Sequence, residues 1–217
     1  MRHLPGSGHD VKATVNALRL IRHQEAIRTL HSFHTQNKED NCEDPSKLEH
    51  SLGLVRKARQ IFRIVIGDTK ALGSLIWHEV EGTRFLTWRE EHGEKGKLDR
   101  RLRAVIRQFR HNNWTFEGLA VSAQGPKQRT FFEACAKIER AFDWNLFAPP
   151  LLVIPKEDEL NRSHRRGTFY IKNGNHRLLV LAYRYLKEKC KFEPFECWLL
   201  TPRPEENDES QHTAVGR

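Results

Sequence analysis

The stretch from Gly167 to Leu186, GTFYIKNGNHRLLVLAYRYL, constrains this chain more than any other. A β-prone run (Thr168, Phe169, Tyr170, Ile171) ends in Asn173-Gly174. Asn175-His176-Arg177 then open a segment in which Leu178, Leu181, Ala182 and Tyr185 recur at helical spacing. The pattern predicts a strand, a sharp turn and a helix N-terminus. Such a turn sets backbone N–H groups and the positive end of a helix dipole beside one imidazole and one guanidinium, an arrangement suited to a phosphate or another small oxyanion. The same residues also read as a plain tight turn whose Arg177 solvates the first helical turn, and the string alone leaves both readings open.

The flanks add context. Gln128-Arg129 precede a helical stretch from Thr130 to Arg140; Phe142-Asp143 follow, and Pro149-Pro150 lead into Leu151 to Ile154. The order strand, Gln-Arg, helix, Phe-Asp, Pro-Pro, strand, loop, strand, Gly-x-His-Arg, helix resembles the ParB/sulfiredoxin-like superfamily over residues 114 to 200. The resemblance implies a nucleotide site built from Asn173, Gly174, Asn175, His176 and Arg177 with Gln128 and Arg129. In it the Gly174 and Asn175 amides hold phosphate, Arg177 stabilises developing charge, and His176 is the general acid/base or a phosphate donor. The implied cofactor is a nucleoside triphosphate, ATP first among them, with Mg2+.

Departures from the family pattern narrow these expectations. Sulfiredoxins carry their catalytic cysteine where Asn175 stands, and an amide cannot replace a thiolate nucleophile. ParB-type partition proteins use Gly-Glu-Arg-Arg here; only Gly174 and Arg177 match, so CTP specificity does not carry over. Many relatives have Asp at the position of Asn173, so direct metal ligation is not implied and the metal is left unknown. Members that phosphorylate free serine place a glutamate before the first helix. Between Ser122 and Arg129 there is none, the nearest carboxylates being Glu117 and Glu133. The Osa-type plasmid fertility-inhibition proteins are the nearest functional model, implying ATPase and DNase activity against conjugative DNA transfer.

Charge points the same way. A formal charge of +9 and a pI near 9.6 favour a polyanionic partner, nucleic acid before membrane. With no apolar run of transmembrane length and a polar start from Met1 to Asp10, an intracellular, cytoplasmic protein without membrane insertion is expected. Cys42, Cys135, Cys190 and Cys197 form no CxxC pair, which argues against a disulfide framework and a zinc ribbon. His31 and His34 are a closely spaced helical pair without an acid motif, a weak metal signal.

Residues 1 to 9 read as a frayed leader, and apolar positions Val11, Val15, Leu18, Ile21 and Leu30 suggest a long helix from Asp10 to Asn37. A second helix after Pro45-Ser46 carries Leu48, Leu52, Val55, Phe62 and Ile66 on one face. Leu75 to Trp88 fits a hairpin or a helix followed by a strand. From Lys97 to Arg110, Leu98, Leu102, Val105, Ile106 and Phe109 make an apolar stripe opposite Arg100, Arg103, Arg107 and Arg110. Those guanidiniums suit successive DNA phosphates, or equally a solvated face paired with Glu90, Glu91 and Glu94. Residues 1 to 110 hold 21 Lys/Arg against 14 Asp/Glu, most of the excess. A second basic element, Asn161, Arg162, His164, Arg165 and Arg166, precedes the strand that delivers Gly174; Arg165 and Arg166 are candidate DNA contacts, with a solubilising loop as the plain alternative. Trp144, between Phe142-Asp143 and Pro149-Pro150, lies near where the resemblance places the ligand cleft.

The expectation is thus an α+β protein: a basic helical N-terminal region (1 to 110), a ParB/sulfiredoxin-like C-terminal domain (111 to 201) with Leu151 to Ile154 and Thr168 to Lys172 as adjacent strands and Phe195 to Leu200 as another, and a disordered tail (202 to 217). The expected function is a nucleotide-binding protein acting on DNA, an ATPase and/or DNase of a plasmid or other mobile element with a partner in a DNA-transfer or partition apparatus. The alternatives are a non-catalytic, partition-like DNA-binding module switched by nucleotide and a small-molecule kinase.

Overall fold

The computed structural model describes residues 19–36, 45–77, 83–86, 88–91, 94–97, 99–140, 143, 148–154 and 169–202. In chain order the elements are β1 (Arg19–Ile21), α1 (His23–Gln36), α2 (Pro45–Lys57), β2 (Ala58–Ile66), α3 (Thr69–Ser74), β3 (Trp88–Glu91), β4 (Glu94–Lys97), α4 (Leu102–His111), α5 (Phe116–Val121), α6 (Pro126–Arg140), β5 (Leu151–Val153), β6 (Tyr170–Asn173), α7 (Asn175–Ala182) and β7 (Phe195–Pro202). The fold is α+β. Five strands form one sheet in the order β1-β2-β7-β5-β6, antiparallel except for the β5–β7 pair, and β3 with β4 makes a separate two-stranded hairpin.

Alternation along the strands explains why both sheet faces are covered. Cys197 and Leu199 of β7 join Ile64, Ile66, Leu152 and Ile171 in a core closed by α3, α4, α5, α6 and α7. Trp198 and Leu200 point the other way, with Ile21, Ile61 and Leu151, into a second core closed by Ala26 and Leu30 of α1 and Leu52 and Val55 of α2. The result is three layers, helix, sheet and helix.

Several expectations change here. Phe62 and Ile66 belong to a strand rather than to the second helix, because the β-branched run from Ile61 to Ile66 pairs along its length with β7. The expected first helix begins at His23, after β1; its earlier part, residues 10–18, lies outside the described residues. Since β1 and β2 pair into the sheet that holds β5, β6 and β7, and Leu102, Val105, Ile106 and Phe109 share a core with Phe132 and Leu178, the sheet and core run across residue 110 rather than dividing there. The strand expected before Gln128-Arg129 is the helix α5, capped by the Thr115 hydroxyl, which accepts from the Gly118 N–H at 3.0 Å. The β5, β6 and β7 strands form where expected. Of the segment Leu75 to Trp88, residues 78–82 and 87 lie outside the described residues; a hairpin forms at β3 and β4, and Ile76 makes isolated bridges to Arg101 and Tyr170 at the outer side of β6. No helix among the described residues is long and apolar enough to cross a membrane. The tail from 203 onward, the leader, Leu98, Trp144 and the loop carrying Arg165 and Arg166 lie outside the described residues.

Candidate functional site

The turn between β6 and α7 has the predicted form, and its glycine is required twice over. Gly174 adopts φ +88°, the left-handed region, and a Cβ there would lie 2.9 Å from Pro150 Cβ. Helix α7 starts at Asn175, and the first backbone bond of its ladder runs from the Leu178 N–H to the Gly174 carbonyl at 2.9 Å. A five-residue π-helical segment, Tyr183–Lys187, continues it.

The neighbouring helix α6 runs parallel to α7. Phe131 of α6 stacks on the imidazole of His176 with ring centroids 4.2 Å apart. Further along, Glu139 lies within the electrostatic reach of Arg184, Lys187 and Glu188; burial raises its carboxyl first, and Glu117 and Glu188 raise it further. The 131–176 stack and the reach of Glu139 to the charges of 184 to 188 run the two helices in the same direction, α6 starting five residues before Phe131 and α7 one residue before His176. Gln128 and Arg129 precede Phe131 by less than one helical turn, so they lie toward the same end as Asn173 to Arg177. The N-terminal end of the α7 dipole therefore lies in the region where the resemblance implies a phosphate, and that of α6 points the same way.

The individual side chains divide into those committed to the fold and those directed to the turn. Asn173 is committed: its Oδ1 accepts from the Gly174 N–H at 2.6 Å, and its amide nitrogen donates to the Ser51 hydroxyl of α2. The Gly174 amide is thereby spent, which corrects its expected role as a phosphate donor. Arg177 is 7 % exposed, and its guanidinium donates to the Ala148 carbonyl. Its charge also reaches the buried Cys197 thiol, where burial dominates and raises the pKa while Arg177 opposes the rise. This guanidinium anchors the approach to β5 beneath the turn, which corrects the picture of an arginine that only solvates the first helical turn. Gln128 uses its carbonyl to accept from the Gln124 N–H at 2.9 Å, whereas Arg129 is exposed. His176 is half-buried against Phe131, and the Asn175 Oδ1 is buried with no hydrogen-bond partner. An unmet acceptor beside a helix N-terminus is a costly feature that a ligand donor would relieve.

The arginine face of α4 is tied to the protein at single points while Arg103, Arg107 and Arg110 stay exposed. Arg100 donates to the Tyr170 hydroxyl at 2.7 Å, Arg103 to the Gly73 carbonyl at 3.3 Å, and Arg110 to the Leu186 carbonyl at the end of the π-helical segment. The last contact places a cation at a helix C-terminus, where the dipole favours it. Arg107 is exposed and has no partner among the described residues. The helix begins at Leu102 rather than Lys97 because Lys97 ends β4 and Asp99 accepts from the Arg101 N–H at 3.0 Å. Burial acts to raise the Asp99 carboxyl, but the hydrogen bonds from Arg101 outweigh it and the pKa is lowered.

Ser51 and Phe131 join the site without any sequence signal, since Ser51 stands 122 residues from its partner Asn173. Glu117 and Glu133 are exposed on α5 and α6. Among the described residues no group of three or more His, Cys, Asp or Glu is placed to hold a metal ion, and Cys135, Cys190 and Cys197 are free thiols. No protein-family model, no curated protein and no solved structure matches the chain.

Proposed function

We propose that the chain binds a nucleoside triphosphate at the end of the layer where α7 begins beside α6, and acts on DNA as a ParB/sulfiredoxin-like nucleotide-dependent protein. The observation that carries the reading is the His176–Phe131 stack, which packs the first turn of α7 against α6 less than one turn beyond Gln128-Arg129. Within the reading, the Asn175 amide and the α7 dipole hold phosphate and Arg129 adds charge. The orphaned Asn175 Oδ1 accepts a donor from the nucleotide, and His176 moves the proton in phosphate-ester cleavage. Arg177 and Asn173 act as positioning residues. The net charge of +9 supports DNA as the second partner.

A second reading, a DNA-binding module switched by nucleotide without turnover, is favoured by one contact. The Arg177 guanidinium is buried and donates to the Ala148 carbonyl, a structural role that it keeps whether or not nucleotide is turned over. The two readings separate when the purified protein is incubated with each nucleoside triphosphate, with and without plasmid DNA and Mg2+, and both phosphate release and DNA nicking are followed. Turnover supports the enzyme, saturable nucleotide binding without turnover supports the switch, and absence of nucleotide binding overturns both.

A further inference from the structure

On the sheet face that carries α1 and α2, Arg19 of β1 stands directly opposite Arg63 of β2 in the antiparallel register. Both share that face with Ile21, Ile61 and Trp198, because side chains alternate along each strand. Strand spacing sets the two Cα atoms about 5 Å apart, and like charges directly opposite each other destabilise a sheet. One carboxylate answers Arg63 alone. Glu196 Oε2 lies 3.1 Å from Arg63 Nε, while its Oε1 accepts from the Trp198 indole N–H at 2.9 Å, so both of its oxygens are engaged away from Arg19. Arg19 is exposed and has no partner among the described residues, and the Arg63 side chain is 37 % exposed.

We infer that Arg19 and Arg63 together form a binding site for a backbone phosphate of a nucleic-acid strand. Two guanidiniums on adjacent strands can each donate to a separate oxygen of one phosphate, Arg63 through its terminal nitrogens because its Nε is buried beside Glu196. A bound phosphate also cancels the repulsion that the register imposes, so ligand and fold gain from the same contact. The +9 charge of the chain supplies the complementarity to a polyanionic strand. The inference rests on the DNA-directed reading above but occupies a separate place. Arg63, Trp198, Leu151 and Asn173 are register partners in turn, which puts Asn173 three strand spacings, roughly 14 Å, from Arg63.

The test compares Arg19→Gln and Arg19→Glu with the wild type and with Arg59→Gln, an exposed arginine of β2, the strand that carries Arg63. Duplex oligonucleotide binding is measured across a salt series, with inorganic phosphate and ATP titrated separately, and urea unfolding is followed for each protein. Arg19→Gln should weaken DNA about tenfold and lower the log–log salt slope by about 0.9, leaving ATP affinity as in the wild type; Arg59→Gln should do neither. Arg19→Glu should weaken DNA further yet raise the urea midpoint, since it turns a like-charged cross-strand pair into an attractive one, a combination that mere misfolding cannot produce. Unchanged DNA affinity and slope in both Arg19 variants overturns the inference. So does a variant that loses inorganic phosphate while binding DNA as before. If the wild type binds ATP but no DNA, the arginine site fails and the turn survives; if Arg19 dependence is seen without ATP binding, the turn fails and the arginine site survives.

Discussion

Replacing Gly174 by alanine tests the geometry on which the candidate site depends. At φ +88° an L-residue bears the cost of the left-handed region, about 1–2 kcal/mol. The added Cβ would also lie 2.9 Å from Pro150 Cβ, 3.2 Å from its Cα and 3.3 Å from its Cγ. These are atoms of a ring and of the backbone, which cannot swing aside, and overpacking of this kind costs about 1–3 kcal/mol. Equilibrium urea unfolding should therefore show a loss of about 2–5 kcal/mol at an unchanged slope. The two contributions separate in a cycle with Pro150→Gly, which removes Cβ and Cγ from the contact: the double variant should recover about 1 kcal/mol or more relative to additivity. Gly174→Asn, tolerant of the left-handed region but still bearing a Cβ, should fall between wild type and Gly174→Ala. A loss under about 1 kcal/mol for Gly174→Ala, or a cycle that is additive within about 0.5 kcal/mol, refutes the close packing of this turn on Pro150.

Three further outcomes follow from the same contacts. Arg177→Met should lower stability by about 1–3 kcal/mol, because it leaves the Ala148 carbonyl without its buried donor; unchanged stability with a large loss of ATP affinity would return Arg177 to the ligand. His176→Gln should preserve nucleotide binding and cut any turnover roughly a hundredfold, whereas equal turnover per bound nucleotide would make His176 a positioning group. Burial pushes the Cys135 and Cys197 thiols up, Glu139 adding to the rise at Cys135 and Arg177 opposing it at Cys197. Their folded pKa values lie above those of the unfolded chain, so the stability they contribute is complete below the ordinary thiol range. It is lost as pH climbs past about 9, at up to about 1.4 kcal/mol per pH unit per thiol. Urea midpoints measured from pH 8 to 10 should fall more gently for Cys197→Ala than for the wild type, and parallel curves would contradict this.

What the sequence determined by itself is local. The strand, turn and helix around Gly174 were legible because a β-prone run, an Asn-Gly pair and helical apolar spacing agree within twenty residues, and the same holds for the buried face of α4. The run from Ala58 to Ile66 read as helix because Phe62 and Ile66 also fit helical spacing; its strand state depends on β7, more than a hundred residues away, which supplies the pairing partner. Side-chain fates were decided the same way. Nothing local tells Arg177 to turn toward the Ala148 carbonyl, Arg110 to close the end of a π-helical segment, or Asn173 to meet Ser51, since each contact is made by groups far apart in the chain. An arginine reads identically in sequence whether its donors meet a phosphate or a backbone carbonyl. Only the fold, by bringing a particular acceptor within hydrogen-bonding reach, settles which one it serves.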